Sequence, residues 1–334
     1  MMLSGVLHLK EIGASTAQKI LRRKSKSGSV FGRIGAADLG EVYHAHGLAH
    51  RTAGFAGPDF DAARKCLPEY PIEPIQTTNK LVGVIAETRP HSNLESIVLM
   101  VAERLDIQVQ LFHGPDNLSF IMSSKIAELI EDGRVVLTQL DTSGFVAPIY
   151  NALFMSRRFW RHVIGRGKIL VFQTDAVICS NSDYVISDFA KFDYIGSLFW
   201  RGDFGGLKCH GGNGGLSLRS WEKTMECLDR FPAENWPGGE DRYFAFHMDL
   251  IGVVGRFFDS ARFCSQHRFI RRSFGAHKIT SMNPVDLGMF LDYCPEAGRI
   301  AGDRKADRRV VAKIKRMFWG PILWVAFVVF NPIL

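Results

Sequence analysis

Four short segments hold the side chains best suited to chemistry. Asp175 closes the run Phe172-Gln173-Thr174-Asp175, directly after an apolar stretch of strand length. A carboxylate on a strand tip can hold a divalent cation that clamps a diphosphate. The plainer alternative is a turn or cap residue. His210-Gly211-Gly212-Asn213-Gly214-Gly215-Leu216-Ser217-Leu218-Arg219 combines glycines, which let a backbone approach a sugar or phosphate, with an amide that both donates and accepts hydrogen bonds. Its alternative is a glycine-rich surface turn. In Gly238-Gly239-Glu240-Asp241-Arg242 two acids open a helix, where the dipole favours them, and either can act as a general base. The alternative is an exposed acidic first turn. Phe274-Gly275-Ala276-His277-Lys278 brings an imidazole, a usual metal ligand, close to Arg268, Arg271 and Arg272, which with Lys278 can offset phosphate charge. A lone histidine is otherwise structural.

These segments need a scaffold, and one begins at Lys80. Residues 81–86 form a continuous apolar run of strand length, and 94–105 follow with helical spacing behind Ser92-Asn93. Strands are predicted at 107–112, 135–140 and 168–172, with helices at 117–131 and 148–163. Alternating strands and helices imply a parallel sheet covered on both faces, whose ligands bind beyond the carboxyl ends of the strands. The tips there are Glu87-Thr88-Arg89, His113-Gly114, Asp141-Thr142 and Thr174-Asp175, all polar or glycine. No G-x-G-x-x-G follows the first strand and no phosphate-binding G-x-x-x-x-G-K-[ST] is present, so dinucleotide dehydrogenases and P-loop enzymes lose their main support. Farther on, the sequence predicts strands at 194–200 and 216–218, helices at 220–230 and 240–247, and one or two strands within 253–262.

With 334 residues, 46% hydrophobic and 22% charged, the chain has an ordinary globular composition, which excludes disordered, collagenous and coiled-coil classes. Its six cysteines contain no C-x-x-C pair, so free thiols of a reducing compartment are expected. The net charge of +7 suits anionic partners, but the basic residues fall in separate clusters, and no nucleic-acid partner is expected. Residues 1–79 read as an N-terminal extension ending in a proline-rich connector, 80–300 as the catalytic domain, and 301–334 as a basic segment and apolar tail. The first ten residues show no secretory signal, which predicts a cytoplasmic location. Residues 317–334 carry no charge and follow a stretch, 304–316, with seven basic residues and one acidic. That pattern predicts peripheral or tail-mediated contact with the cytoplasmic face of a membrane.

Taken in order, Phe172-Gln173-Thr174-Asp175, Phe192-Asp193-Tyr194-Ile195-Gly196, the run from Gly212 to Arg219, Glu240-Asp241 and the run from Phe274 to Lys278 resemble an uncharacterised family of glycosyltransferase-like domains with the GT-A fold. The resemblance covers about residues 80–282, and the Gly-Asn-Gly-Gly-x-Ser-Leu-Arg stretch is its most specific part. It implies an α/β, Rossmann-type sandwich with a mainly parallel central sheet. It also implies transfer of a sugar from a nucleotide-diphosphate donor to a hydroxyl acceptor, whether glycan, lipid-linked sugar or polysaccharide. By that resemblance Asp175 and His277 bind a divalent cation, Mn or Mg, and Glu240 or Asp241 deprotonates the acceptor. Asn213, Gly214 and Gly215 line the sugar, Glu87, Thr88 and Arg89 lie near the nucleotide base, and Thr174, Arg271 and Lys278 complete donor binding. One departure stands out: where the family commonly has Asp-x-Asp, this chain has Gln173-Thr174-Asp175. The rival readings are a non-catalytic nucleotide- or sugar-binding protein on the same scaffold, and a nucleotidyltransferase.

Overall fold

The computed structural model describes residues 40, 43–44, 54, 56–73, 75–199, 203–204 and 207–302. The readings for most of the N-terminal extension, the basic segment and the apolar tail lie outside them. Among the described residues no helix is long and apolar enough to cross a membrane.

Continuous apolar runs form the strands at the centre. The first half of the chain supplies β1 (Val82–Glu87), β2 (Gln108–His113), β3 (Val135–Gln139) and β4 (Lys168–Phe172). A short β5 (Ala176–Ile178) follows β4 at once, and then come β6 (Tyr194–Ser197), β7 (Asp203–Phe204), β8 (Leu207–Lys208), β9 (Asn213–Ser220), β10 (Cys264–Ser265) and β11 (Gly275–His277). The main sheet has the order β3-β2-β1-β4-β9-β6. Parallel pairing joins β3, β2, β1 and β4, whereas β9 is antiparallel to both of its neighbours. The expected α/β class with a mainly parallel sheet is thus realised, with a single reversed strand.

Helices cover both faces. They are α1 (Phe60–Lys65), α2 (Leu94–Leu105), α3 (Leu118–Met122), α4 (Ile126–Glu131), α5 (Ala147–Phe154), α6 (Arg157–His162), α7 (Trp221–Arg230), α8 (Glu240–Ile251), α9 (Phe257–Phe263), α10 (Pro284–Tyr293) and α11 (Gly298–Ala301). In α2 the buried residues Leu94, Ile97, Val98, Val101 and Ala102 recur at helical spacing and make one apolar stripe. Alternation along β4 divides the interior. Ile169 and Val171 join an aromatic-rich layer with α5, α6 and α8, and Leu170 and Phe172 join the layer under α2. A smaller cluster gathers around α10. All six cysteines are buried free thiols.

Several elements differ from the sequence-based expectation. The helix predicted over 117–131 is two, interrupted at Ser123–Lys125, and that over 148–163 is also two. In the second case the Ser156 hydroxyl accepts from the Arg158 amide and starts a new helix. Most of the 253–262 stretch lies in the helix α9, preceded by an isolated bridge between Tyr194 and Val254, where one or two strands were expected. Asn213-Gly214-Gly215 lies within β9, so the glycines are strand residues and no turn forms there.

The aromatic layer centres on Phe154, fully buried and in ring contact with Tyr150, Phe159 and Trp160 at centroid distances of 4.5, 4.4 and 6.1 Å. Phe154→Ala is expected to lower the unfolding free energy by about 3–5 kcal/mol. Urea denaturation followed by tryptophan fluorescence measures it. A loss below about 1 kcal/mol would mean that this layer is not close-packed.

Candidate functional site

A cleft of about 650 Å³ opens beyond the carboxyl end of β4. Its lining includes Tyr150 and Asn151 from the first turns of α5, Gln173 and Asp175 beyond β4, and Asn213, Gly214 and Gly215 from β9. Glu240, Asp241 and Arg242 enter from the start of α8, and His277 and Lys278 from the end of β11.

A small three-stranded sheet, β10-β11-β5, brings the distant residues together. Because β11 runs antiparallel to β5, His277 pairs with Ala176, and Asp175 and Lys278 fall at the same end. The His277 Nε2 lies 3.2 Å from Asp175 Oδ1 and 3.1 Å from Gln173 Oε1, although Gln173 and His277 are 104 positions apart. The Lys278 amide donates to the Asp175 carbonyl at 3.3 Å. Lys278 is in the left-handed region at φ 53°, one of two described non-glycine residues that are. Such backbone strain persists only where the surroundings enforce it, and it clusters at functional sites. Burial pushes the Asp175 carboxyl up, but its hydrogen bond to His277 and the charges of His277 and Lys278 outweigh that and hold it below the usual carboxylate range.

The other wall is built from β9 and α8. Arg219 is fully buried, pointing from β9 into the aromatic layer, and its Nη2 lies 2.9 Å from Glu240 Oε2. Burial pushes the Glu240 carboxyl up to about 6; Arg219 opposes this and the Asp241 charge adds to it. Asp241, one residue on, faces the cleft and accepts from Asn213 Nδ2 at 2.8 Å. The Asn151 side-chain oxygen accepts from the Glu240 amide at 3.2 Å, satisfying one of the free N–H groups at the start of α8. Two glycines make this packing possible. A Cβ on Gly214 would overlap the Glu240 carboxylate, and one on Gly215 would overlap the His277 ring.

The site residues predicted from sequence thus fall into two sets. Asp175, His277, Lys278, Asn213, Gly214, Gly215, Glu240 and Asp241 share the cleft, whereas Glu87, Thr88, Arg89, Thr174 and Arg271 are not among its lining residues. Glu87 is committed locally, since both of its carboxylate oxygens accept from the Arg89 guanidinium at 2.9 Å. Thr88 is buried. Sequence reasoning missed Tyr150 and Asn151, and it gave no role to Arg219 and Arg242 within the segments it named. The available signal was polarity out of place: Tyr150-Asn151 in an apolar helix, and Ser217 and Arg219 alternating inward on a strand.

For a divalent cation, the donors at hand are Asp175 Oδ1, His277 Nε2 and Gln173 Oε1, clustered within about one hydrogen-bond length. Among the described residues no group of three or more His, Cys, Asp or Glu is placed to hold a metal ion. Two strong protein donors and an amide oxygen fit a cation that takes its other ligands from substrate phosphates and water.

A family of proteins of unknown function, DUF5672, matches residues 138–277, a span that contains every cleft residue discussed above except Lys278. No curated protein matches the chain. Among solved structures, the apo form of the glycosyltransferase GlyE from Streptococcus pneumoniae TIGR4 is 12% identical, with a TM-score of 0.40 over 61% of this chain and 56% of that one. A fragment of Staphylococcus aureus TarS, residues 1–349, is 10% identical, with a TM-score of 0.37 over 66% of this chain and 69% of that one. A protein described as a glucose-1-phosphate thymidylyltransferase, from Bacillus anthracis, is also 10% identical, with a TM-score of 0.37 over 67% and 96%. The chain therefore spans little more than half of the GlyE chain it resembles. Similarity at this level leaves the chemistry to be read from the cleft itself.

The perturbed Glu240 makes stability depend on pH. The folded chain holds this proton more tightly than the unfolded one, so the contribution is full below about pH 4.5 and is lost as pH rises through about 6. Relative to Glu240→Gln, the wild type is expected to lose stability across that window. The variant has no titrating group at this position, so the comparison reads the slope. Denaturant melts at the two ends of the window measure it, and a relative gain by the wild type would contradict the assignment.

Proposed function

We propose that this cleft transfers a glycosyl group from a nucleotide-diphosphate sugar to a hydroxyl acceptor. The observation that carries the reading is the convergence of Asp175, His277 and Lys278 with Asn213 and Asp241 in one cleft at the carboxyl rim of the sheet. One end is suited to a diphosphate and the other to a sugar hydroxyl.

In a single displacement, the Asp241 carboxylate takes the proton of the acceptor hydroxyl while Asn213 Nδ2 holds the carboxylate in place. The acceptor oxygen bonds to the anomeric carbon. The bond from that carbon to the diphosphate oxygen breaks, and its electron pair leaves with the nucleoside diphosphate. Lys278, exposed at the Asp175 end, offsets the charge that develops there. Asp175 and His277, aided by Gln173 Oε1, would hold Mg or Mn, and such a cation supplies positive charge to the departing diphosphate. Glu240, buried against Arg219, orients the start of α8 and leaves the base role to Asp241.

Asp241→Asn is expected to lower turnover about 10²–10⁴-fold while leaving donor binding nearly unchanged. Equal turnover would remove Asp241 from the mechanism. The donor is found by thermal denaturation against a panel of nucleotide sugars, with and without Mn²⁺. A ligand at about a hundred times its Kd adds about 2.7 kcal/mol. Asp175→Asn is expected to abolish the Mn²⁺-dependent part of that stabilisation. If no nucleotide sugar stabilises the protein under either condition, the reading fails. Release of pyrophosphate from a nucleoside triphosphate would replace it with nucleotidyl transfer.

A further inference from the structure

A second cavity, of about 420 Å³, opens just beyond the carboxyl end of α5, whose first turns line the cleft. Its floor is apolar, with Ala63, Met155, Leu228 and Ala233 all buried. Its wall carries four guanidinium groups, Arg64 from α1 and Arg157, Arg158 and Arg161 from α6. None takes part in the transfer proposed above.

Two of the four are oriented by groups other than acids. Arg158 Nη1 donates to the Leu67 carbonyl at 2.8 Å and to that of Arg64. The Arg161 guanidinium lies over the Tyr70 ring, 4.6 Å from its centroid. A guanidinium already fixed loses little freedom when it engages a ligand. Arg64 pairs with Asp61 and Arg157 with Asp229, both exposed pairs of the weak kind. Within the lining itself, four cations face two carboxylates, Glu69 and Glu234. Glu69 is shared by Arg158 and Arg161 at 3.4 and 3.6 Å and is 62% exposed. Both contacts are longer than a good charge-assisted hydrogen bond.

We propose that this cavity is a second anion site, which takes a phosphate-bearing ligand between Arg157, Arg158 and Arg161 and displaces Glu69 as it binds. A phosphate offers more charge and more acceptor oxygens than the carboxylate, and it suits the bidentate geometry of arginine. The inference stands apart from the reading of the cleft. The phosphate can come from a soluble compound or from a lipid headgroup.

The test uses the full chain in a chelator-containing buffer, titrated calorimetrically with inorganic tripolyphosphate, and in parallel sedimented with phosphatidylcholine vesicles with or without phosphatidic acid. Binding is expected to survive Asp175→Asn. Combined Arg157→Gln and Arg161→Gln should weaken it about tenfold or more, and Glu69→Gln should tighten it severalfold, on the scale of single charge-assisted contacts. A gain in affinity cannot come from misfolding, so Glu69→Gln keeps the test informative if the arginine variants are unstable. This order of variants with tripolyphosphate assigns a soluble ligand, and the same order with phosphatidic acid vesicles alone assigns a lipid phosphate. Failure of both probes to bind, binding indifferent to the arginines, or no gain from Glu69→Gln would overturn the proposal.

Discussion

The ion pair between Arg219 and Glu240 is the constraint around which one half of the site is arranged. The guanidinium has no exposed surface and lies among the rings of Phe154, Trp160, Tyr194 and Phe244, 5.0 to 5.8 Å from their centroids. A charge withdrawn from water to this degree persists only when it is paired. The partner carboxylate belongs to the first residue of α8, so the pair fixes where that helix begins relative to β9. Asp241 then has one place to go, beside Asn213, six residues before Arg219 on the same strand. The pair contributes position more than stability, since a buried charge pair roughly offsets its own desolvation.

The other half depends on backbone topology. The β5–β11 pairing sets His277 opposite Ala176, which leaves Asp175 and Lys278 side by side at the same end of the pair. The imidazole is then seated by contact with Gly215 and by hydrogen-bonding distance to Gln173. Gln173, two residues before Asp175, thus holds the histidine, a use that its position in the sequence does not suggest.

How much of this could be read from sequence follows from how local each feature is. The strands from 81 to 172 are local: unbroken apolar runs have one plausible use in an alternating chain, and their tips were identifiable as the rim. Asp175, Asn213, Asp241 and His277 were singled out by their polar side chains beside a strand end and glycines and by the resemblance that their order carries, and the structure places them in one cleft. Their mutual geometry was not legible, since it rests on a pairing between segments about a hundred residues apart. The 253–262 stretch was misread because Val253, Val254, Phe257 and Phe258 favour strands intrinsically, while α9 is decided by burial of one face, with Phe263 packed in the layer under α2. The Asn213–Gly215 segment looked like a turn because glycine is rare inside strands. Here the space left by its absent side chains is what Glu240 and His277 fill. Glu87 ends β1, but its carboxylate is taken up by the Arg89 guanidinium.

The reversal of β9 has a consequence for how the molecule can diversify. A strand that runs against its neighbours begins where they end, so its opening residues reach the rim as an entrance, with α7 continuing from the far side. One part of the cleft is therefore assembled from β4, β5 and β11, and the other from β9 and α8. The two meet along Gly214 and Gly215, a seam with no side chains of its own. Exchange of residues on either flank leaves the other flank's supports intact, whereas a single methyl group added at the seam unseats a member of one or the other. The side chains of the two flanks can thus vary independently, provided that the bare stretch of backbone between them is kept.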